Sequence, residues 1–340
     1  MSMILSHETA RLYHRLQNRP APRALLPARN SELKPGSADV GLAARARRLL
    51  IAMGAPPDQV VRIDVIVRRD CDRRSGSGIT SHVWRFPIPR NSLIQIDRGI
   101  FVTGVLLTAQ LFARQADERE LVEYLMELCG CYGLPPASGE FAIRLPLTTP
   151  ERILEWAEQT RGQHGANKLR RALVWVRAGA RSPMETAFFM MLLLPRRLGG
   201  MQIAELQLAY RIEVTGEARG LTRRGHFECD AYLPCSRTDF EYNGIVHETE
   251  EQLAIDSERL NALEAMGYNA MIVTRREFFD REAFGRLMRA IGRRVGKRSD
   301  REPPGFEERQ EELREFVLRR YLGAGDGREA ERPRVPREGH

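Results

Sequence analysis

Two short segments place acidic side chains where they can meet at the edge of a sheet. The first segment reads FECDAYL, in which polar and apolar residues alternate, so a period of two turns Asp230 away from the core side. The same alternation in the next segment projects Asp239, Glu241 and Asn243 to one face. If the segments form an antiparallel hairpin, Asp230 and Glu241 converge. Two carboxylates held together repel unless a cation joins them, and oxygen ligands favour Mg²⁺ or Mn²⁺.

A third acidic residue stands at the start of an upstream helix. Ser182 and Glu185 have the spacing of a capping box, and Pro183 fits the first helical position. This pattern explains Glu185 as a helix-start residue without any chemistry. The alternative is that its carboxylate reaches the site of Asp230, and the sequence leaves both explanations open.

The elements around these residues follow the order helix, three strands, helix, strand, helix. This order predicts an α/β layer in which the last strand is reached through a crossover helix and pairs in parallel. The predicted elements are a helix over 182–194, strands near 205–214, 225–233 and 238–242, a helix over 250–266, a strand over 269–274 and a helix over 280–295.

The order and spacing of these motifs resemble the PD-(D/E)XK nuclease superfamily, specifically the small domain related to the very-short-patch repair (Vsr) endonuclease. The resemblance covers about residues 181–296 and implies a restriction-endonuclease-like α/β/α fold. The matching segments are Ser182 to Glu185, Phe227 to Pro234, Glu241 to His247, Asp256 to Leu260, Leu263 to Tyr268 and Ile272 to Thr274.

The resemblance implies catalytic roles for four residues. Asp230 corresponds to the central metal-binding aspartate, and Glu241 corresponds to the acidic residue of the (D/E)XK element, with Mg²⁺ or Mn²⁺ as the cofactor. Glu185 would orient the attacking water, and His247 would stand at the rim of the site as a proton donor to the leaving oxygen. Together these residues would hydrolyse a phosphodiester bond.

Three further positions complete the comparison. Asn243 stands where the family has lysine, or aspartate in many relatives of this subgroup. An asparagine oxygen can ligate Mg²⁺, but it carries no charge and accepts no proton near neutral pH, which puts catalysis in question. Asp256 and Arg259 would brace the site or contact phosphate, although their spacing on a helix also fits a structural ion pair.

The first half of the chain is predicted to be an α+β domain. The segment SHETA, with the strands and helices that follow it, loosely resembles the core domain of AbiEi-type antitoxins and regulators over about residues 4–178. That resemblance implies a cognate toxin protein as a partner. The predicted elements are helices over 6–16, 40–53, 104–115, 118–129 and 167–177, strands over 60–68, 79–86 and 93–97, and a helix from a capping box at Thr148 to about Thr160.

The charge balance points to a nucleic-acid partner. The 340 residues carry a net charge of +8, and of the 53 basic residues only three are lysines. Arginine suits bidentate phosphate contacts, although a GC-rich coding sequence that favours arginine everywhere is the alternative explanation of its excess. Residues 1–50 and 281–298 each carry a net charge of +6. The candidate contacts there are Arg45, Arg48, Arg293 and Arg294, for which a solvated helix face or a helix dipole is the structural alternative.

Composition also bounds the class of protein. No apolar run approaches the roughly 18 residues of a membrane helix, no secretory signal opens the chain, and five cysteines without a CxxC pair fit a reducing compartment. We expect a cytoplasmic protein without membrane contact or organic cofactor. The expected divisions are an AbiEi-like domain over 1–180, a Vsr-like domain over 181–297, and a tail over 298–340 with an isolated charged helix and disorder.

Two functions stay open at this point. The first is a metal-dependent DNA endonuclease acting in DNA repair or in defence against phages and mobile elements. The second is a non-catalytic AbiEi-like antitoxin or transcriptional regulator whose degenerate nuclease domain binds nucleic acid or a toxin.

Overall fold

The chain divides into two compact units in a computed structural model. The structure describes residues 2–17, 38–74, 78–136, 141–243, 250–296, 303–322 and 333–334. The first unit comprises Met1–Val176 with Arg328–His340, and the second comprises Arg177–Gly327. The main division lies within a few residues of the predicted one, and the second unit extends beyond 297 to include the charged helix.

The first unit is built on a mixed five-stranded sheet. Its strands are β1 (Met3–Leu5), β2 (Ile63–Val67), β3 (Ile79–Val83), β4 (Leu93–Asp97) and β5 (Ile100–Thr103), in the order β3-β2-β1-β5-β4. Strand β1 pairs antiparallel with β2 and parallel with β5. All three residues of β1 are buried, so the shortest strand of this sheet lies at its centre.

Six helices accompany this sheet in the described part of the first unit. They are α1 (His7–Leu16), α2 (Val40–Ala52), α3 (Val105–Gln115), α4 (Glu118–Cys129), α5 (Pro150–Gln159) and α6 (Ala166–Ala172), with short strands β6 (Tyr132–Gly133) and β7 (Phe141–Ile143) between α4 and α5. The cap of α5 lies one residue later than predicted. Thr149, not Thr148, accepts a hydrogen bond from Arg152 N–H over 3.4 Å, because Pro150 takes the first helical position and its predecessor becomes the cap.

The second unit has the predicted order of helix, three strands, helix and strand. Its elements are α7 (Pro183–Leu193), β8 (Gln207–Glu213), β9 (His226–Leu233), β10 (Thr238–Asn243), α8 (Glu250–Ala265), β11 (Asn269–Thr274), α9 (Arg275–Phe279) and α10 (Arg281–Arg294). The sheet order is β11-β10-β9-β8. The first three strands form an antiparallel meander, and β11 pairs in parallel with β10, as the crossover helix predicted.

Helices pack on both faces of this sheet. The sequence of α7 is apolar on every side, and all of its residues from Met184 to Leu193 are buried. Phe188 of α7 packs edge-to-face against Phe240 of β10, with ring centroids 6.1 Å apart. Because side chains alternate along a strand, Asp239 and Glu241 face the opposite side, where Arg259 of α8 contacts both. The second unit is therefore an α/β domain with helix layers on both faces.

The charged helix of the tail is not isolated. Helix α11 (Phe306–Leu322) contacts α7 and buries an apolar stripe that includes Leu313, Val317 and Leu318. Arg314 fixes it further, since one guanidinium nitrogen donates to the carbonyl of Phe279 over 2.9 Å. Beyond it, β12 (Pro333–Arg334) pairs in parallel with β7. Within the described ranges no helix has both the length and the apolar character needed to cross a bilayer.

Candidate active site

Asp230 and Glu241 come together where two strands of the second unit part. The β9–β10 ladder ends at the pair Ala231 and Phe240, and the same register would next place Asp230 opposite Glu241. Instead of a further ladder bond, the backbone N–H of Tyr242 donates to Asp230 Oδ2 over 2.9 Å. The predicted convergence of Asp230 with Glu241 is therefore present, and Asp230 is held in place by the neighbouring backbone.

Both carboxyls have perturbed acidity. Burial raises the pKa of Asp230 above its ordinary value. Burial, followed by the negative charges of Asp239 and Asp230, raises the pKa of Glu241 to about 9. Asp239 and Glu241 are neighbours and the pKa of each is raised, so this pair binds protons more readily than two exposed carboxyls would. The site contains more acidic groups than its surroundings can keep ionised.

Glu185 acts both as a helix-start residue and as a member of this acidic site. Its backbone N–H donates to Ser182 Oγ over 3.1 Å, and its Oε2 accepts from the N–H of Arg181 over 2.8 Å. Burial, and then the charge of Asp230, raises the pKa of Glu185 to about 7. The cap and the site were alternatives in the sequence, and the structure supports both. We call Glu185, Asp230, Asp239 and Glu241 the carboxylate cluster.

Arg259 inserts a positive charge into the carboxylate cluster, and Arg181, which pairs with Glu228, also attracts Glu185 and Asp230. Arg259 donates to Asp239 Oδ2 over 2.9 Å, contacts Glu241, and donates to the carbonyl oxygen of Glu228 over 2.9 Å. Asp239 is fully buried, and burial raises its pKa. Asp256 lies half-buried one turn earlier on α8. The sequence predicts Arg259 near the site, but it does not predict Asp239 as its partner.

The carboxylate oxygens of the cluster are ligands that a hard divalent cation prefers. Their present arrangement is less suitable for such a cation. Glu185, Asp230 and Glu241 offer only oxygen ligands, which Mg²⁺ and Mn²⁺ prefer. Burial, and after it the neighbouring negative charges, raises their pKa values, and a bound cation would relieve the repulsion between those charges. However, among the residues that the structure describes, no three acidic, histidine or cysteine side chains already form a metal-holding group. The chemistry therefore fits a cation, and the Arg259 contact to Glu241 is the feature that competes with it.

Other predicted site residues are placed as follows. His247 lies in 244–249, outside the described residues. Asn243 ends β10, pairs with Thr274 of β11, and by alternation shares a face with Glu241. Arg45 donates to Asp97 Oδ2 over 2.6 Å and to the carbonyl of Arg98 over 2.8 Å, so its guanidinium has structural partners in the first unit.

Arg48, by contrast, is exposed on α2 of the first unit, and Arg293 and Arg294 are exposed at the end of α10 in the second. These three arginines have the accessibility that a phosphate contact requires.

A groove of about 1080 Å³ begins at Asn243 and is lined by four arginines, of which only Arg293 was predicted from the sequence as a nucleic-acid contact. We call it the arginine groove. Its basic lining residues are Arg275, Arg276, Arg286 and Arg293. Two consecutive arginines directly after a strand were the sequence signal that could have found it.

The acidic residues of this groove serve mainly as helix caps. Glu277 accepts from Thr274 N–H over 2.9 Å, and Asp280 accepts from Ala283 N–H over 2.7 Å. Both carboxylates therefore accept hydrogen bonds from backbone N–H groups at helix starts, where a negative charge is favourable. The third acidic lining residue, Glu282, pairs with Arg286 over 3.7 Å, so four arginines face three carboxylates and the groove keeps a small positive excess.

No protein-family model, curated protein or solved structure matches this chain. The fold defines a mixed α/β protein of two units, the second with a β11-β10-β9-β8 sheet. Its site is a carboxylate cluster into which Arg259 is inserted.

Proposed function

We propose that the second unit is a metal-dependent endonuclease domain that hydrolyses phosphodiester bonds in DNA. The observation that carries this proposal is the meeting of Asp230 and Glu241 where β9 and β10 part, with Glu185 close enough for Asp230 to raise its pKa. The parallel β11 and the two helix layers are also what the resemblance to PD-(D/E)XK nucleases leads us to expect.

Asp230 and Glu241 are the residues that would hold Mg²⁺. When bound, the cation supplies charge neutralisation at the scissile phosphate and acidifies water. Glu185 has a pKa of about 7, so near neutral pH its carboxylate can accept a proton from a water in the site. Arg259 is a positioning residue in this scheme, because it orients Glu241 and balances the charge of the fully buried Asp239.

DNA is the substrate that fits the surroundings of this site. The arginine groove adjoins Asn243, which shares a face of β10 with Glu241. A phosphate backbone lying in the groove would therefore pass close to the carboxylate cluster. Arginine forks bind phosphate oxygens in pairs, and each such contact makes binding dependent on salt.

A second candidate is the non-catalytic regulator or antitoxin. The observation that favours it is the Arg259 contact to Glu241, which fills part of the acidic site with the protein's own cation. Asn243 strengthens this alternative, because it adds no charge at the motif position. In that case the arginine groove would bind nucleic acid without cleaving it, or the protein would bind a toxin.

Cleavage of supercoiled plasmid and of short duplex DNA separates the two candidates. The full chain is incubated with Mg²⁺ or Mn²⁺, and parallel reactions contain EDTA. We expect nicking with either cation and none with EDTA. DNA binding without cleavage under every cation condition would support the regulator and contradict the endonuclease. Cleavage that persists in EDTA would indicate a contaminating or metal-independent activity and would also contradict the proposal.

A further inference from the structure

The side chain of Arg181 lies beside the carboxylate cluster. Arg181 directly precedes the cap residue of α7, and its backbone N–H donates to Glu185 Oε2 over 2.8 Å. Its guanidinium donates to the carboxylate of Glu228 on β9 and also attracts the charges of Glu185 and Asp230. The positive charge of Arg181 is therefore placed where α7 and β9 present two members of the cluster.

The guanidinium of Arg181 is accessible, and its present partner can be exchanged. The side chains of Arg181 and Glu228 are 50% and 47% exposed. Ion pairs with this exposure contribute little to stability, because water solvates both groups when they part. Arg211 lies opposite Glu228 in the β8–β9 ladder but pairs with Glu213 over 2.6 Å. Arg181 is therefore the arginine that Glu228 occupies, and a stronger anion can replace Glu228 at low cost.

Arg259, which is inserted into the cluster, is not available to a ligand in the same way. Its side chain is only 20% exposed, and its Nη2 donates to Asp239, Glu241 and the carbonyl oxygen of Glu228. If Arg259 left these acceptors, the fully buried Asp239 would lose its cation, which is costly. An anion that approaches the cluster therefore meets its accessible guanidinium at Arg181.

A phosphodiester needs such a guanidinium beside this site. The carboxylate cluster repels the phosphate, and a cation held by the cluster would bind only part of the phosphate oxygens. An arginine fork next to the cation can bind other oxygens with two parallel N–H donors, and it remains charged at every relevant pH. The carboxylate of Glu228 offers the same arginine a planar pair of anionic oxygens, as a phosphate would.

We infer that Arg181 is a phosphate-binding residue for the DNA backbone and that Glu228 occupies its guanidinium in the free protein. DNA displaces Glu228, whose carboxylate then turns to solvent. The inference rests on the proposed function, because that proposal names DNA as the ligand. It adds a phosphate contact outside the arginine groove, next to Glu185 and Asp230, and an acidic residue that competes with DNA for it.

Fluorescence anisotropy of a short duplex DNA with the full chain, in EDTA, tests this inference without cleavage. Glu228→Gln frees Arg181, so the affinity for DNA should rise by about 3- to 10-fold. Arg181→Gln should lower the affinity and reduce the slope of log affinity against log salt by about one. In the double variant the gain from Glu228→Gln should disappear, because no guanidinium is then freed.

Glu158→Gln is the matched control. It removes the same charge from a pair of similar exposure in the first unit, since Arg170 and Glu158 are each 47% exposed. Its affinity for DNA should stay within about twofold of the wild type. Misfolding cannot mimic a gain in affinity, and Arg181→Gln keeps the backbone N–H that holds Glu185.

Three outcomes would overturn the inference. They are an equal gain in Glu158→Gln and Glu228→Gln, a gain that persists in the double variant, and no binding of the duplex by the wild type or by Glu228→Gln. The proposed function fails separately. If supercoiled DNA stays intact with Mg²⁺ while Glu228→Gln tightens binding through Arg181, the nuclease is contradicted and the phosphate contact is retained.

Discussion

Arg259 donates to Asp239 Oδ2 over 2.9 Å, and this carboxylate is fully buried beneath α8. This contact joins the crossover helix α8 to β10 at Asp239, two residues before the proposed catalytic Glu241. A buried carboxylate without its cation is costly, so this contact stabilises the second unit and fixes the geometry of the carboxylate cluster.

Arg259→Met should destabilise the second unit by about 3 kcal/mol, because it leaves Asp239 buried without its partner. The three tryptophans, Trp84, Trp156 and Trp175, all belong to the first unit. Urea unfolding followed by far-UV circular dichroism therefore reports both units, while tryptophan fluorescence serves as the control. In the double variant with Asp239→Asn, the loss should be smaller than the sum of the two single losses. A loss below about 1 kcal/mol for Arg259→Met would contradict the assigned role.

Glu185 should make stability fall as the pH rises toward neutrality. Burial and the charge of Asp230 raise its folded-state pKa from 4.5 to about 7, so between these values the folded protein holds a proton that the unfolded chain has lost. The stability that protonated Glu185 contributes at low pH is therefore lost as the pH rises through about 7. Glu185→Gln keeps an acceptor for the Arg181 N–H and removes the titration. At pH 8 the free energy of unfolding of Glu185→Gln should exceed that of the wild type by on the order of 1–3 kcal/mol. If the two proteins show parallel profiles of stability against pH, this explanation is excluded.

Asn243→Asp tests what the departure from the family motif does to cation binding. A carboxylate at this position adds negative charge on the face of Glu241, so the affinity for Mg²⁺ or Mn²⁺ should rise several-fold, equivalent to about 1 kcal/mol. Isothermal titration with each cation measures it, with Asn243→Ser as the uncharged control. If Asp and Ser variants bind the cations equally, Asn243 does not face the metal.

The arginine groove predicts which substitutions weaken DNA binding. Arg286→Gln and Arg293→Gln should each lower affinity and reduce the slope of log affinity against log salt by about one, because each removes one phosphate contact. Fluorescence anisotropy over a range of salt concentrations measures both quantities. Arg320→Gln on α11 is the matched control, as an exposed arginine of the same unit outside the groove. Equal effects at all three positions would indicate general charge and not a defined groove.

Much of the second unit could be predicted because its elements are strongly patterned. The alternation in β9 and β10 places Asp230 and Glu241, and the helix between β10 and β11 requires a parallel pair. The partner of Arg259 could not be predicted, since it depends on how α8 rotates against the sheet. Glu185 was ambiguous because the same spacing serves a cap and a site, and the structure uses it for both.

Predictions for the first unit were weaker for related reasons. Strand β1 has only three residues, too few for any period to be visible, yet it occupies the centre of the sheet. The cap of α5 was assigned to Thr148 because two threonines precede Pro150, and only the position of the proline decides between them.

The cleavage rate of Asp230→Asn tests the central claim most directly. Asparagine preserves the shape and an acceptor for the Tyr242 N–H, and it removes the charge that a cation requires. Glu217→Gln is the control, an exposed acidic residue of the same unit outside the carboxylate cluster. With Mg²⁺ and supercoiled DNA, we predict that Asp230→Asn lowers the nicking rate by about 100-fold or more, while Glu217→Gln stays within a few-fold of the wild type. Equal nicking by Asp230→Asn and the wild type would contradict the assignment of the carboxylate cluster as a nuclease site.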